Sequence, residues 1–339
     1  MLAGACAAGR SAMKLVLCVQ HRFSLWNAPE WFPARLRQDF PALQVVQMHS
    51  YDGLERELAD AEVLVTWSLR GEQFRAARRL RWIHSPAAAV HAVLIPEVVQ
   101  SPVRVTNARD VHGPVVAEHA IALAFALAKG LHRARDYQHE RVWAQQPLWD
   151  GPQRPRELRG ATMLVIGLGA IGSSVARIAS ALGMHVIGVR EHPQRGNRWV
   201  ERVLGFDALD SVLREADFVV IAVPVTEKTT RLFDAIRLAM LKPSAYLINV
   251  ARGAVVNEQA LAEAVRDGRI AGAALDVFEQ EPLPPDSPLW GLENVLITPH
   301  SAALSGQLWP RHYELLTENL RRFLANKRLL GEVDKTKGY

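Results

Sequence analysis

Three glycines, Gly167, Gly169 and Gly172, stand in the run GLGAIG, directly between a β-type apolar run at 162–167 and a helical pattern at 171–182. A GxGxxG in that setting suits a turn that holds a pyrophosphate. The first glycine permits the tight turn and the second lets the backbone approach the phosphates. The third lets the helix pack closely on the strand. Ala170 and Ile171 open the helix, whose free N–H groups and positive dipole end favour an anion. An ordinary tight strand-to-helix turn is the competing explanation. Eighteen residues after Gly172, where a cofactor with free ribose hydroxyls calls for a carboxylate, stands Arg190. A guanidinium there pairs with a 2′-phosphate, and Arg195 and Arg198 follow in the same loop. The expected cofactor is therefore NADP(H). NAD(H) stays open, because Glu191 would take the carboxylate's place if the strand ended one residue later. A solvated loop would also explain the arginines.

Further along, Arg252 closes the run AYLINV, Glu281 lies in VFEQEPLPPDSPLW and His300 ends NVLITPH. Each falls at or just beyond the carboxyl end of an expected parallel strand, where open α/β sheets place their sites. Arg stays cationic and can hold a carboxylate or polarise a carbonyl oxygen. His can pass one proton near neutrality. A nearby Glu would hold the imidazole in one tautomer and favour its protonated form. Singly, each is as well explained by a strand cap or a surface loop; together with the glycine loop they form a constellation for hydride transfer.

The elements that must position these residues alternate strand and helix. KLVLCV (14–19), QVVQM (44–48), EVLVTW (62–67), LRWIHS (80–85) and VRVTN (103–107) form a first strand series. A long apolar helix is expected at 118–137, then a connector rich in Pro, Gly and Trp at 143–158. A second series follows: TMLVIG (162–167), MHVIGV (184–189), DFVVIAV (217–223), AYLINV (245–250), AGAAL (271–275) and NVLIT (294–298). Helices are expected near 171–182, 207–214, 234–240, 257–267 and 305–326. This spacing predicts βαβ units and parallel sheets, an α/β fold.

Length and charge bound the function. A chain of 339 residues allows roughly two domains. The formal charge is +5, which could suggest nucleic acid. However, residues 321–339 hold six basic and two acidic side chains and residues 1–10 hold only Arg10, so the body between sums to zero. No nucleic-acid partner is expected. Two cysteines, Cys6 and Cys18, cannot frame a disulfide scaffold and suit a reducing, cytoplasmic setting. The longest unbroken apolar run in the body, Ala120 to Ala128, is too short to span a bilayer, so no membrane is expected. No metal site is expected. Met13 could be the natural start, with residues 1–12 a disordered extension.

The stretch from Gly167 to about Ala303, roughly the central two-fifths, resembles the D-isomer-specific 2-hydroxyacid dehydrogenases. The matching motifs are GLGAIG, ADFVVIAVPVTEKT, LINVARGAVVNEQAL, AGAALDVFEQEPLP and SPLWGLENVLITPHSA. The resemblance implies that Arg252 binds the substrate carboxylate and carbonyl. It makes His300 the general acid in reduction and base in oxidation, with Glu281 as partner. It places Asp276 near the nicotinamide carboxamide, and Val223 and Pro224 beside the adenine-side ribose and pyrophosphate. Ala251 lies near the nicotinamide, and Thr226 is a further cofactor candidate. It implies two Rossmann-like domains with parallel sheets: a dinucleotide-binding domain at 110–300 inserted into a discontinuous catalytic domain at 13–109 plus 301–339. The site would lie in the cleft between them, and the long helix would support a homodimer.

One departure stands in the loop after LRWI, where Ala88 and Ala89 would offer backbone N–H groups to the substrate. The family commonly has Gly where Ala89 stands, so a left-handed backbone there would be strained or the loop reshaped. Trp67, Ser68 and Trp309 could line the same pocket; core packing or dimer contact explains the tryptophans equally well. The expected activity is NAD(P)H-dependent reduction of a small 2-oxo acid, glyoxylate- or hydroxypyruvate-like, to the D-2-hydroxy acid. The alternative is a corepressor-like protein that senses a dinucleotide without turnover, for which an acid–base pair would be superfluous.

Overall fold

Short apolar runs become parallel strands here, the central ones buried on both faces. A computed structural model describes residues 12–338; Cys6 and all of the expected N-terminal extension except Ala12 lie outside them. The chain divides into two units, one ending at Val111 and resuming at Ser305, the other running from His112 to Leu304.

The first unit carries β1 (Met13–Cys18), β2 (Leu43–Gln47), β3 (Val63–Thr66), β4 (Trp82–Ser85) and β5 (Arg104–Asn107). They form a parallel sheet in the order β2-β1-β3-β4-β5. One face packs Leu15, Leu17 and Val65 with Phe32, Leu36, Trp309 and Leu316. Trp309 is 7% exposed, and its Nε1 donates to the Leu25 carbonyl at 2.7 Å; of its expected roles it takes core packing. Trp67 donates to the Trp26 carbonyl at 2.9 Å. The final helix is Leu308–Leu324, and the basic segment after it is docked rather than free. Val333 N–H donates to the Val105 carbonyl at 2.9 Å, and Glu332 pairs with Arg104 at 2.8 Å. The Lys335 ammonium is held by the carbonyls of Val98, Ser101 and Val103. Cys18 is a buried free thiol whose pKa is pushed up to about 12 by desolvation, so it is inert as a nucleophile.

A buried histidine gives this unit a pH dependence. The Thr106 hydroxyl accepts from Trp82 Nε1 at 2.9 Å and lies 2.8 Å from His84 Nδ1. An indole can only donate, so the hydroxyl accepts from Trp82, while its contact with Nδ1 fits either neutral tautomer of His84. His84 is 1% exposed, and desolvation pushes its pKa from 6.5 down to about 4. Between those values the unfolded chain binds a proton that the folded one does not. Stability is therefore full above pH 6.5 and falls as the pH drops toward 4, by up to ~3 kcal/mol. Denaturation across this range should show that loss in the parent and a flatter profile in His84→Met. An unchanged profile in the variant would rule out His84 as the source.

The second unit carries β6 (Thr162–Ile166), β7 (His185–Val189), β8 (Arg202–Leu204), β9 (Phe218–Ile221), β10 (Tyr246–Asn249), β11 (Gly272–Leu275) and β12 (Val295–Ile297). Their order is β12-β11-β10-β9-β6-β7-β8, all parallel. The order reverses at β6, between β7 and β9, the point where such sheets leave a crevice at their carboxyl ends. Ile221, Phe233, Leu247 and Leu261 are fully buried on one face; Met163, Val175, Ile248 and Ala274 are on the other. Each buried large side chain contributes ~1.5–3 kcal/mol.

Three expectations change. The helix expected at 118–137 is Arg109–Lys129 and Leu131–His139, broken at Gly130, whose φ of +65° ends the first helix. The 109–129 helix is long and apolar enough by composition to cross a membrane, but Val116, Ala120, Leu123, Ala124 and Leu127 are buried in the second unit's core. The expected connector contains a short helix, Gln145–Asp150. The edge strand β8 was not expected: three residues give no usable periodicity, and it forms by pairing with β7.

Candidate active site

The glycine loop follows β6. Gly167 has φ +93°, and a Cβ there would lie 2.5 Å from the Ala222 carbonyl oxygen. A Cβ on Gly172 would lie 1.7 Å from the Gly167 carbonyl oxygen, so the helix Ala170–Ala181 can approach the strand only with hydrogen at that position. A Cβ on Gly169 would meet nothing within 4 Å; the space over the loop is open. Ala170 and Ile171 form the first helical turn, with its N–H groups at that opening. Just beyond the neighbouring strand β9, Val223 is buried, and the Pro224 carbonyl accepts from Thr229 Oγ1 at 2.6 Å. Thr226 N–H donates to Thr229 Oγ1 at 2.8 Å, which shapes the same loop.

β7 ends at Val189, so Arg190 is the first residue beyond it and its N–H donates to the Leu204 carbonyl at 2.9 Å. The Arg190 side chain reaches the Gly196 carbonyl at 3.2 Å. Desolvation, and then the Arg195 charge, lowers its pKa. Arg198 instead lies over the Trp199 ring, 4.5 Å from its centroid. Glu191 pairs with Lys228 at 3.2 Å. Asn197 Nδ2 donates to Ser173 Oγ at 3.0 Å, tying the arginine loop to the helix after the glycines. These residues fit a dinucleotide: a phosphate-sized opening at a helix start, with cations at the end of the next strand.

The His–Glu pair lies at the other side of the same sheet. His300 follows β12, and its Nδ1 is 2.6 Å from Glu281 Oε2. A carboxylate only accepts, so Nδ1 carries the proton and Nε2 is the nitrogen left for chemistry. Glu281 is itself anchored: Oε1 accepts from the Phe278 N–H at 3.0 Å. Glu258 lies near this pair, and its pKa is raised by desolvation first and then by the charges of Glu279 and Glu281.

Arg252 sits in the turn after β10. Buried Asn249 shapes that turn, accepting from the Ala251 N–H at 3.0 Å and donating to the Arg252 carbonyl at 3.0 Å. Gly253 lets the turn approach the next loop: a Cβ there would be 1.8 Å from the Phe278 carbonyl carbon. That contact brings the Arg252 turn beside the segment leading to Glu281. Desolvation lowers the Arg252 pKa and the Glu281 charge raises it; the guanidinium remains cationic. Arg252 Nη1 donates to the Ala251 carbonyl at 2.6 Å. Sequence reasoning missed Asn249 and Gly253, although both stand inside the run INVARG.

Asp276, just after β11, is 1% exposed. Its oxygens accept from Thr298 Oγ1 at 2.6 Å, Ser301 N–H at 2.8 Å and Ala302 N–H at 3.0 Å. Ala88 and Ala89 belong to the first unit, in the loop after β4, where the Ala88 carbonyl accepts from Asn107 Nδ2 at 2.7 Å. Ala89 is not among the residues with positive φ, so the strain considered for it does not arise. Among the described residues no cluster of His, Cys, Asp and Glu could hold a metal ion.

A doubly wound parallel sheet with a glycine turn at its switch point and an Arg, a Glu and a His beyond its strand ends defines a nicotinamide-dinucleotide dehydrogenase. Residues 121–302 match the model of the D-isomer specific 2-hydroxyacid dehydrogenase NAD binding domain. A glyoxylate reductase of Korarchaeum cryptofilum is 37% identical over 265 residues, covering 77% of this chain and 78% of that protein. A D-isomer specific 2-hydroxyacid dehydrogenase from Xanthobacter autotrophicus, solved with NADPH and MES, superposes with a TM-score of 0.82 at 30% identity, covering 97% and 100% of the two chains. An NADPH-dependent glyoxylate/hydroxypyruvate reductase from Sinorhizobium meliloti, solved with NADP and sulfate, gives 0.78 at 27% identity, covering 96% and 100%. The chain belongs to the D-isomer-specific 2-hydroxyacid dehydrogenase family. It is an oxidoreductase that interconverts 2-oxo and D-2-hydroxy acids with a nicotinamide dinucleotide.

Proposed function

We propose that the enzyme reduces a small 2-oxo acid of the glyoxylate or hydroxypyruvate type, favouring NADPH, with His300 as general acid. The observation that carries the reading is the 2.6 Å contact of His300 Nδ1 with Glu281, which leaves Nε2 as the only ring nitrogen for proton transfer. The reduced nicotinamide supplies a hydride to the carbonyl carbon. In its doubly protonated form, with Nδ1–H held by Glu281, His300 gives the Nε2 proton to the carbonyl oxygen as that oxygen gains charge and is left neutral; the neutral ring takes a proton back at Nε2 in oxidation. Arg252 holds the substrate carboxylate and polarises the carbonyl. Glu281 keeps the imidazole in register.

On the cofactor side, the loop of Gly167, Gly169, Ala170, Ile171 and Gly172 takes the pyrophosphate. Val223, Pro224 and Ala251 flank the bound dinucleotide, and Asp276 lies toward the nicotinamide carboxamide. Arg190 takes the 2′-phosphate. Glu191 is turned to an ion pair with Lys228 at 3.2 Å. The relatives solved with NADPH or NADP point the same way. The enzyme works as a homodimer.

A panel of 2-oxo acids assayed with both cofactors tests the reading. Glyoxylate or hydroxypyruvate should rank first, and kcat/KM should be higher with NADPH. Arg190→Ala should lower kcat/KM for NADPH by roughly 10- to 100-fold, the value of a charge-assisted contact, while leaving NADH nearly unchanged. A parent preference for NADH would overturn the cofactor reading. No turnover with any 2-oxo acid, beside tight NADPH binding, would favour a sensor instead.

A further inference from the structure

His119 and Thr298 have no role in the chemistry above, yet both are joined to the turn that carries His300. His119 lies on the helix Arg109–Lys129, its side chain 23% exposed. Its Nε2 is 3.1 Å from Thr298 Oγ1 and 3.6 Å from Asp276 Oδ1. Thr298 has one hydroxyl proton, and the carboxylate 2.6 Å away can only accept it. The hydroxyl therefore turns its lone pairs to His119, and Nε2–H donates to them. The direction of both bonds follows from the chemistry of the three groups.

Asp276 in turn holds the turn on both sides of His300. Its carboxylate takes Thr298 before it and Ser301 and Ala302 after it, and its backbone carbonyl accepts from the His300 N–H at 2.9 Å. His300 itself has φ +49°, a left-handed backbone that a residue with a Cβ keeps only when its surroundings impose it. These contacts to Asp276 and Thr298, with the His300 N–H also 3.0 Å from the Thr298 carbonyl, supply that constraint. We propose that His119 is a positioning residue: by donating to Thr298 it completes the network that keeps the His300 turn left-handed and aims Nε2 at the reacting oxygen. The proposal rests on the reading of His300 as the acid.

The test follows hydride transfer in single turnovers at 340 nm, with the cofactor that the enzyme prefers and its best 2-oxo acid. His119→Leu removes the donor and should slow the step roughly 10- to 100-fold, the scale of a misplaced reacting group. KM for the acid and Kd for the cofactor should stay within about twofold. His119→Gln presents an amide N–H in place of the imidazole one and should regain most of the rate. Thr298→Val should reproduce the loss, and the double variant His119→Leu/Thr298→Val should be no slower than Thr298→Val alone, as expected for one shared contact. A parent-like rate in His119→Leu overturns the proposal, as does a slow His119→Gln or a loss that appears mainly in cofactor Kd. His300→Gln separates the two readings. If His300→Gln is inactive while His119→Leu is normal, only the positioning role fails; if His300→Gln is fully active, the acid–base reading fails first.

Discussion

Replacing His300 by Gln is expected to lower kcat for 2-oxo acid reduction by roughly 10²- to 10⁴-fold, the usual contribution of a positioned acid. Cofactor affinity should change little, because the glycine loop and Arg190 lie across the sheet from β12. Gln preserves a hydrogen-bonding side chain but cannot pass a proton. The rate should therefore fall without a matching rise in KM, the pattern of an interaction made only in the transition state. Steady-state kinetics with the preferred 2-oxo acid, beside cofactor titration by fluorescence, separates these quantities. Glu281→Gln should show a smaller loss: an amide can still accept from Nδ1, but the negative charge is gone. A His300→Gln enzyme with the parent's kcat would sink the mechanism.

Arg252→Ala is the second large effect. The loss should appear in both kcat and KM, with kcat/KM down by roughly 10²- to 10⁴-fold, since a paired charge is removed from the substrate and from the developing oxyanion. The fold should tolerate the change. The turn is held by Asn249 through backbone atoms of residues 251 and 252, and by the hydrogen at Gly253, none of which the substitution touches. A melting temperature close to the parent's would verify that point. Arg252→Lys should regain only part of the loss, because an ammonium is a point charge and cannot present the planar fork that a carboxylate accepts. Equal activity in Arg252→Lys and the parent would reduce the role of Arg252 to charge alone.

Much of the fold could be read along the chain. Strand runs such as LVIG and LINV are continuous because both faces of a parallel sheet are buried, so their apolar content shows without periodicity. The strand after the glycine helix ends at Val189 as expected, which puts Arg190 rather than Glu191 at the first position beyond it. The break at Gly130 was missed because a single glycine within a long apolar pattern is compatible with an unbroken helix until a positive φ is seen there. Charge counting along the chain shows that the carboxyl-terminal segment is basic but not what its cations touch. Lys335 is spent on three carbonyls near β5, distant in sequence and reachable only once the sheet exists.

Residue type and local spacing determined the glycine turn, the alternating strand and helix order, and the strand-end Arg, Glu and His proposed for the chemistry, because each is marked by neighbours a few positions away. The tertiary structure decided what depends on partners far apart in the chain. Glu191 is paired with Lys228 because that lysine reaches it from the loop after β9. The Arg252 turn can lie against residue 278 because Gly253 has no Cβ. His300 points where it does because Asp276, Thr298 and His119 converge from a helix and two strand ends. A hydrogen bond between such groups is set by the register of the folded sheet, and no spacing along the chain encodes it.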